Sequence, residues 1–472
     1  MYNHISPWMQ QLNRVRPLYI LETDVATDIC IVGGGISGVM TAYQILKNTD
    51  KKIVLVDAHK IGHGATGHNA GQLVSELERS VVSLVGDFGL QKTVEALNGI
   101  HSSWTLLEEI IQEANIDVPY STFEGYNVYS TRKQIQEKLA DIALMREGDI
   151  HVKKIYISEQ HVDSLELDKS HMQYVEIIPH ESILSLSGSI DTQYIAAHPQ
   201  RKGCLNSALL TEALTLYLQA TYGIQRFQVY EETPIVSIDL DLEHVAIITG
   251  SNKTIAADKV ILCTNGFEHF KIRDVNEKIE FSFHKNVKGN VGYMMARTEE
   301  LSHAPSAFAY FDKSFDDASL FAVEHHIDIT KDVVYGGEYV YSTRRPYDLG
   351  HDEPKNLFCI GGKGFIMEDT STYGKNHVFN PDIKKEYDKF MLKTFSEKDN
   401  QRIDGDKEFI WHGLMGYTSN GLRMVGFEKR NNKLMYNLGC NGVGIMPAIW
   451  GAKRIAALLN GDTSTSIFDP SI

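Results

Sequence analysis

Three glycines, Gly33, Gly35 and Gly38, stand between a short apolar segment and a segment whose apolar residues have helical spacing. In a strand–turn–helix unit these glycines allow a tight turn, the approach of a pyrophosphate to the backbone, and close packing of helix on strand. The helix start would offer N–H groups and a positive dipole end to phosphates. Asp57 ends the next apolar segment, where an acidic side chain accepts hydrogen bonds from a ribose. The pattern predicts a dinucleotide site; the alternative is a flexible turn followed by a solvated aspartate.

Two further segments favour FAD over a nicotinamide dinucleotide. The residues from Gly62 to Leu73 are mostly small, so a bulky cofactor could lie against their backbone. A second glycine-rich turn, Gly439 to Gly444, precedes a helix with Pro447 in its predicted first turn. The start of that helix could direct its positive end at the flavin pyrimidine ring, where negative charge accumulates on reduction. Taken alone, this second turn could also be an ordinary loop before a surface helix.

The sequence assigns no firm catalytic base. Tyr335, Tyr339 and Tyr341 lie in a predicted strand, on one face by alternation, with Glu338 on the other face. Tyrosines near a flavin could enclose an ammonium group by cation–π contact, and each could equally belong to the core or rim of the strand. Tyr339, Tyr341 and Met415 are the candidates for a catalytic role.

The predicted secondary structure that positions these candidate residues alternates between strand and helix in the first part of the chain. Segments 27–32, 53–56 and 259–263 predict buried strands of a parallel sheet. From Val287 to Asp404 aromatic, alternating segments such as 333–341 predict an antiparallel sheet. Helices are predicted over 94–114, 133–146, 204–220 and 448–459.

Composition limits the possible partners. The chain has 472 residues, 43% of them hydrophobic, which predicts two domains. Its net charge of −15 argues against nucleic acid or an anionic membrane as the main partner. No segment approaches the roughly 20 apolar residues of a membrane-spanning helix, and no signal-peptide pattern is visible. Five cysteines without a C-x-x-C pair favour reduced thiols and a cytoplasmic location, and the 19 histidines form no compact ligand set, so no metal site is predicted.

Taken together, these segments resemble the D-amino-acid oxidase/glycine oxidase family of flavoproteins, whose fold is similar to that of glutathione reductase. The resemblance runs the length of the chain and is nearest to members of the gamma-glutamylputrescine oxidoreductase type. It rests on segments 33–38, 64–72, 260–266, 411–418 and 439–444, together with Asp57. It implies an α/β fold in which a glutathione-reductase-like FAD-binding Rossmann domain is interleaved with an α+β substrate domain built on an antiparallel sheet.

The resemblance also implies a division of the chain and a set of cofactor contacts. Residues 1–90, 190–286 and 405–472 would form the FAD-binding domain, and residues 91–189 and 287–404 the substrate domain. Ile235 matches the position whose backbone usually meets the adenine. The implied FAD contacts are Gly33, Gly35, Gly38, Asp57, Ala65, Thr66, Gly67, His68, Gly71, Gln72, Ile235, Thr264, Gly442 and Gly444.

One departure from the family concerns the substrate carboxylate. Glycine oxidase-like members carry an arginine that grips this group, and Met415 stands at the matching position here. An apolar side chain cannot pair with a carboxylate, so an amine is preferred over a simple α-amino acid as substrate. Arg344, Arg345 or Arg423 could supply the missing charge from elsewhere, or could be ordinary surface residues.

Two other departures concern attachment of the flavin. His68 stands where relatives of the putrescine type usually carry arginine, in a context similar to that of the flavin-linked histidine of dimethylglycine-oxidising relatives. A covalent bond between His68 and FAD is therefore a hypothesis, with a hydrogen bond or simple packing as the alternatives. The block from Trp411 to Thr418 contains no cysteine, which argues against the cysteinyl linkage of sarcosine-oxidase-type relatives.

The resemblance implies hydride transfer from the carbon next to an amine nitrogen to flavin N5, followed by hydrolysis of the imine. The partner would be a small-molecule amine, and the electron acceptor oxygen or an unknown carrier. Because segment 361–364 lacks the strand–helix context of a second dinucleotide site, the substrate itself should reduce the FAD. The alternatives are oxidation of an α-amino acid such as glycine or sarcosine, oxidation of a hydroxy acid, and a non-catalytic FAD-binding sensor.

Overall fold

The computed structural model describes residues 5–241, 243–276, 279–281, 287–301, 303–313, 339–349, 353–367, 369–374, 381–396 and 407–470. Within these ranges the chain forms two ten-stranded sheets. The first sheet contains, in spatial order, Ile279–Phe281, Lys271–Asp274, Ile235–Leu240, Val245–Thr249, Thr254–Leu262, Val25–Val32, Ile53–Val56 and Phe227–Tyr230. Its remaining strands are Leu434–Leu438, which pairs with Thr254–Leu262, and Met424–Phe427, which pairs with Leu434–Leu438.

The centre of the first sheet is parallel, as the sequence predicts. Val25–Val32 lies between Thr254–Leu262 and Ile53–Val56, and both pairings are parallel. Alternate side chains pack in two separate cores: Ile29 belongs to the core that includes the helices, and Cys30 to the core shared with the antiparallel strands of this sheet. Because both faces are covered, these strands are continuous apolar runs.

The second sheet is mainly antiparallel, which confirms the antiparallel sheet predicted for the region after Val287. Two of its pairings are parallel, that of Ser306–Phe311 with Tyr120–Tyr129 and that of Ile155–Ser158 with Val175–Ile178. Its strands are, in spatial order, Glu408–Thr418, Val287–Glu299, Lys355–Met367, Val340–Tyr347, Ser306–Phe311, Tyr120–Tyr129, Ala196–Leu205, Ile155–Ser158 and Val175–Ile178, with Gln72–Leu73 paired to Ala196–Leu205.

The helices differ in their boundaries from the predicted ones. The predicted helix over 94–114 is two helices, Leu90–His101 and Ser103–Glu113, and Ser102 is the C-cap of the first and the N-cap of the second. The helix predicted from Cys204 begins at Ser207, where the Asn206 side chain caps it by accepting from two backbone N–H groups. The α-helices are Pro7–Gln10, Ile36–Asn48, Val81–Phe88, Leu90–His101, Ser103–Glu113, Arg132–Glu147, His180–Ser187, Ser207–Arg226, Pro381–Thr394 and Ile445–Leu459. The 3-10 turns are Ala65–Gly67, Val162–Leu165, Lys169–Tyr174 and Thr370–Thr372.

The predicted division into two domains stays a prediction. The prediction assigns Ala196–Leu205 and Glu408–Thr418 to the cofactor domain. In the structure both strands belong to the second sheet, where the first pairs with Tyr120–Tyr129 and the second with Val287–Glu299. Most of the predicted strand over 333–341, including Tyr335 and Glu338, lies outside the described residues. Among the helices described, none is both long and apolar enough to cross a bilayer.

A buried polar cluster lies between the second sheet and the loop that follows Gln72–Leu73. Glu76 accepts from Lys138 at 2.9 Å and from Gln200 at 2.7 Å. Lys202, 1% exposed, donates to Asn127 Oδ1 at 2.8 Å. Burial lowers the pKa of Lys202 to about 7, because the charged ammonium loses its hydration.

This cluster makes stability depend on pH. Below pH 7 Lys202 is protonated in both the native and the unfolded chain; between about 7 and 10.5 only the unfolded chain retains the proton, so rising pH stabilises the native state. We expect Lys202→Met to lose this gain, which amounts to about 2 kcal/mol between about pH 6.5 and about pH 9. Denaturant unfolding of both proteins at the two pH values measures it. The exposed Lys92→Met is the matched control, and an equal pH dependence in Lys202→Met and the wild type would contradict the assignment.

Candidate active site

The first glycine turn joins Val25–Val32 to the helix Ile36–Asn48. Gly33 donates its N–H to the Val56 carbonyl at 2.8 Å and has a φ of +107°. A Cβ on Gly33 would lie 2.6 Å from the carbonyl oxygen of Cys263, so the turn admits no side chain there. A Cβ on Gly38 would collide with the Gly33 carbonyl. The spacing of these two glycines therefore serves the close packing of turn, strand and helix.

Asp57 lies beside this turn. Its Oδ2 accepts the Gly34 N–H at 2.6 Å, and its Oδ1 accepts the His59 N–H at 2.7 Å. Burial raises the pKa of the Asp57 carboxyl, while the two backbone donors act in the opposite sense. A carboxylate has lone pairs beyond those two bonds, so Asp57 retains the capacity to accept from a ribose hydroxyl.

The run of small residues is tied to the first helix. Thr66 lies in the 3-10 turn Ala65–Gly67, and its Oγ1 accepts the Ile36 N–H at 2.9 Å. A Cβ on Gly35 would lie 3.0 Å from the same oxygen. The Thr66 carbonyl accepts from Ser207 Oγ at 2.6 Å. The run of small residues therefore packs against the start of the helix Ile36–Asn48, beside Gly35.

Residues of the N-terminal segment donate hydrogen bonds to the run of small residues, a contact that the sequence did not predict. The Ser6 hydroxyl donates to the Gly67 carbonyl, and the Trp8 indole N–H donates to the Asn69 carbonyl. Trp8 is fully buried, and the Arg345 guanidinium lies 3.5 Å from the centre of its ring. These partners are separated by tens to hundreds of residues, so no local pattern marks them.

We expect Trp8→Phe to weaken FAD binding by about threefold to tenfold, because the Asn69 carbonyl loses its donor while most of the aromatic packing remains. Titration of the apoprotein with FAD, followed by quenching of flavin fluorescence, measures the change. Tyr19→Phe, at an exposed position of the same segment, is the control. Wild-type FAD affinity in Trp8→Phe would contradict this role.

The C-terminal glycine turn approaches the same region from the other end of the chain. The Cys440 N–H donates to Asn265 Oδ1 at 2.9 Å, and the Asn441 N–H donates to the Gly416 carbonyl at 2.9 Å. Gly444 is the N-cap of Ile445–Leu459 and contributes no side-chain cap. Gly442 has a φ of +81°, and a Cβ there would lie 2.6 Å from Glu78 Oε1. The predicted turn before a helix is confirmed, with Pro447 in its first turn.

Both glycine turns line one cavity of about 380 Å³. The predicted cofactor residues in its wall are Gly33, Gly35, Asp57, Ala65, Thr66, His68, Gly71, Gln72, Thr264, Gly442 and Gly444. Gly38, Gly67 and Ile235 lie outside that wall, and their contacts with FAD stay predictions. Two helix starts, an acidic strand end and backbone without Cβ atoms are the features that a dinucleotide requires, so these residues fit FAD.

Three of the wall residues carry further interactions. His68 Nδ1 lies 2.9 Å from the Gly64 carbonyl. The Thr264 hydroxyl donates to Glu268, and burial raises the pKa of that carboxyl to about 7. Cys440 belongs to the C-terminal turn, and burial raises the pKa of its thiol.

The rest of the wall contains the candidate catalytic residues and one residue that the sequence did not single out. Tyr339, Tyr341 and Met415 all line the cavity, together with Tyr417. The additional residue is Glu78, whose Oε1 accepts from the Tyr339 hydroxyl at 2.9 Å. Glu78 follows the small-residue run by only a few positions, but its tyrosine partner is 261 residues away in sequence.

Three arginines could replace the family arginine that binds a substrate carboxylate, and none of them is a surface residue. All of them are buried, with at most 9% exposure. Arg344 donates to Glu299 at 2.6 Å, and Arg345 packs on Trp8. Arg423 lines the cavity, but its guanidinium donates to Asn437 Oδ1 at 2.6 Å and to Ser37 Oγ at 2.7 Å. The interpretation of these residues as ordinary surface arginines is therefore wrong.

Comparison with known proteins bears on this geometry. Residues 28–458 match the model of the DAO family, described as FAD dependent oxidoreductase. The chain is 22% identical to gamma-glutamylputrescine oxidoreductase of Escherichia coli, over 97% of this chain and 89% of that protein. Its fold is similar to that of glycine oxidase from Geobacillus kaustophilus, with a TM-score of 0.61 and 14% identity over 94% and 98% of the two chains. It is also similar to L-alpha-glycerophosphate oxidase from Mycoplasma pneumoniae with FAD bound, with a TM-score of 0.59 and 13% identity over 93% and 95%.

Proposed function

This chain belongs to the DAO family of FAD dependent oxidoreductases, and from that premise we propose that it oxidises a carbon–nitrogen bond of an amine or amino-acid derivative. The observation that carries the proposal is the composition of the cavity wall. Both glycine turns line it, and the remaining wall contains Glu78, three tyrosines and Met415. Such a wall suits a neutral or cationic amine better than a carboxylate.

FAD would be held by the backbone of the two glycine turns and by Asp57. When bound, it supplies the acceptor for the hydride that leaves the carbon next to nitrogen. Ser37 and Asn437 fix Arg423 beside the first helix start, which keeps this buried charge paired. The tyrosines narrow the cavity and exclude part of the water, so the amine is oriented by aromatic faces and by Glu78. An imine product would then be hydrolysed by water to a carbonyl compound and an amine or ammonia.

An anaerobic screen tests the proposal. The protein is reconstituted with FAD and mixed with amines, polyamine conjugates, N-methyl amino acids and hydroxy acids, and loss of the oxidised-flavin absorbance is recorded. We expect amines to bleach the flavin. Bleaching by hydroxy acids alone, or by no compound, would overturn the proposal. Admitting oxygen afterwards shows whether oxygen or another carrier accepts the electrons.

Denaturation of the same FAD-loaded protein tests whether His68 is bonded covalently to the cofactor. His68 Nδ1 lies 2.9 Å from the Gly64 carbonyl, so this nitrogen donates to the carbonyl when it carries a ring proton. After denaturation, a covalent histidyl bond would keep the yellow colour on the polypeptide, and a non-covalent contact would release it. We expect release, with FAD bound several-fold more weakly by His68→Ala. Colour that stays with the wild-type polypeptide but not with His68→Ala would contradict this and establish the bond.

A further inference from the structure

Beyond the two glycine turns and Asp57, the described cavity wall contains one carboxylate and three phenols from distant parts of the chain. Glu78 lines the cavity from the loop after Gln72–Leu73, and its side chain is exposed there. Tyr339 donates its hydroxyl to Glu78 at 2.9 Å. Tyr341 has its ring centre 6.4 Å from that of Tyr339, and Tyr417 lines the same cavity.

We propose that Glu78, Tyr339, Tyr341 and Tyr417 form an ammonium subsite, which selects substrates that bring a positively charged nitrogen into the cavity. This inference rests on the proposed function and adds the substrate class to it. A carboxylate supplies the opposite charge, and the faces and hydroxyl oxygens of the tyrosines add cation–π and hydrogen-bond contacts.

The phenols remain neutral under ordinary conditions. Burial raises the pKa of Tyr339 well above its ordinary value, and the nearby Glu78 charge and hydrogen bond raise it further. Burial likewise raises the pKa of Tyr341 and of Tyr417. Tyr339 therefore stays a hydrogen-bond donor that holds the Glu78 carboxylate in place, and none of the three adds a competing negative charge.

The charges elsewhere in the wall support a cationic ligand. Asp57, the other carboxylate lining the described cavity, accepts from the Gly34 and His59 amides at the phosphate-binding turn. The Arg423 guanidinium is directed to Ser37 and Asn437. A substrate carboxylate placed at Glu78 would meet a like charge, which is destabilising.

The ammonium could come from two sources with the same chemistry. It could be the reacting amine before it loses its proton, or a second amino group of a diamine. Binding of n-butylammonium and of 1,4-diaminobutane separates the two sources, and n-butanol serves as the neutral probe of equal chain length.

The experiment uses the FAD-loaded protein under anaerobic conditions. Dissociation constants come from perturbation of the bound-flavin absorbance, or from saturation of flavin reduction where a probe is oxidised. We expect the wild type to bind the ammonium probes at least about tenfold more tightly than n-butanol. Glu78→Gln should lose about tenfold of that affinity and leave n-butanol binding unchanged, and Tyr339→Phe should lose less. Glu124→Gln, which removes an exposed carboxylate paired with Lys153, is the control matched for charge.

A loss confined to the diamine assigns the subsite to a remote ammonium, and an equal loss for both amines assigns it to the reacting nitrogen. Wild-type affinity for both ammonium probes in Glu78→Gln would overturn the subsite. So would an altered flavin spectrum or lost FAD in Glu78→Gln without any probe, because Glu78 would then belong to the cofactor cradle beside Gly442. Failure of every amine to reduce the wild-type flavin would instead overturn the proposed function. Binding of a probe that does not reduce the flavin is still read from the flavin absorbance, so the two failures are distinguishable.

Discussion

Gly35→Ala is expected to yield folded protein that binds FAD about tenfold to a hundredfold more weakly than the wild type. Gly35 is the N-cap of the first helix, and its φ of −76° is open to any residue. A Cβ there meets only the Thr66 hydroxyl, at 3.0 Å, so the fold can accommodate it. The methyl group would occupy the cavity wall at the start of the helix, where we expect the backbone to approach the FAD pyrophosphate.

Two other glycines make this result interpretable. Gly38→Ala places its methyl group against the Gly33 carbonyl, so it should lower the melting temperature as well as FAD affinity. Gly86→Ala, within the helix Val81–Phe88, meets no atom within 4 Å; it should leave FAD affinity unchanged and should not lower the melting temperature, because alanine favours the helix. FAD titration and thermal unfolding of the three apoproteins provide the measurements. Wild-type FAD affinity in Gly35→Ala would remove the basis for placing phosphate at this turn.

Met415→Arg is expected to reverse the substrate preference. Met415 lines the cavity and packs on Gly292, where a Cβ would lie 2.7 Å from Met415 Cε. A guanidinium at this position would pair with a carboxylate in a bidentate way and would repel an ammonium. We expect the kcat/KM ratio of sarcosine to n-butylamine to rise about a hundredfold, which corresponds to about 3 kcal/mol of differential transition-state binding.

Met415→Leu separates charge from shape, because it retains an apolar side chain of similar volume. Its kcat/KM ratio should stay within a few-fold of the wild type. If the wild-type protein already favoured sarcosine, or if Met415→Leu caused the same reversal, the missing arginine would not explain the choice of substrate.

Local patterns in the sequence were sufficient to predict the two glycine turns that line the cavity. Gly33, Gly38 and the turn before Ile445–Leu459 could be predicted because their constraints act over a few residues. A tight turn, a close helix–strand approach and a helix start each require particular residue types at fixed spacing. The parallel strands were predictable for the same reason, since burial on both faces produces continuous apolar runs.

The helix boundaries show where this local information ends. Ser102, the cap residue between Leu90–His101 and Ser103–Glu113, divides a segment whose apolar spacing predicts one helix. The helix Ser207–Arg226 begins three residues after the predicted start at Cys204, because Asn206 caps it. In both cases the apolar period continues across the boundary, so the period alone does not reveal where the backbone leaves the helix.

By itself, the sequence determined the two glycine turns and the character of both sheets, because short-range geometry dictates which residues can occupy them. Only the tertiary structure decided which distant side chains share the cavity. It joined Glu78 to Tyr339, covered the small-residue run with Trp8, and buried Arg423 against Ser37. These contacts depend on how segments tens to hundreds of residues apart are packed, and no spacing along the chain records that packing.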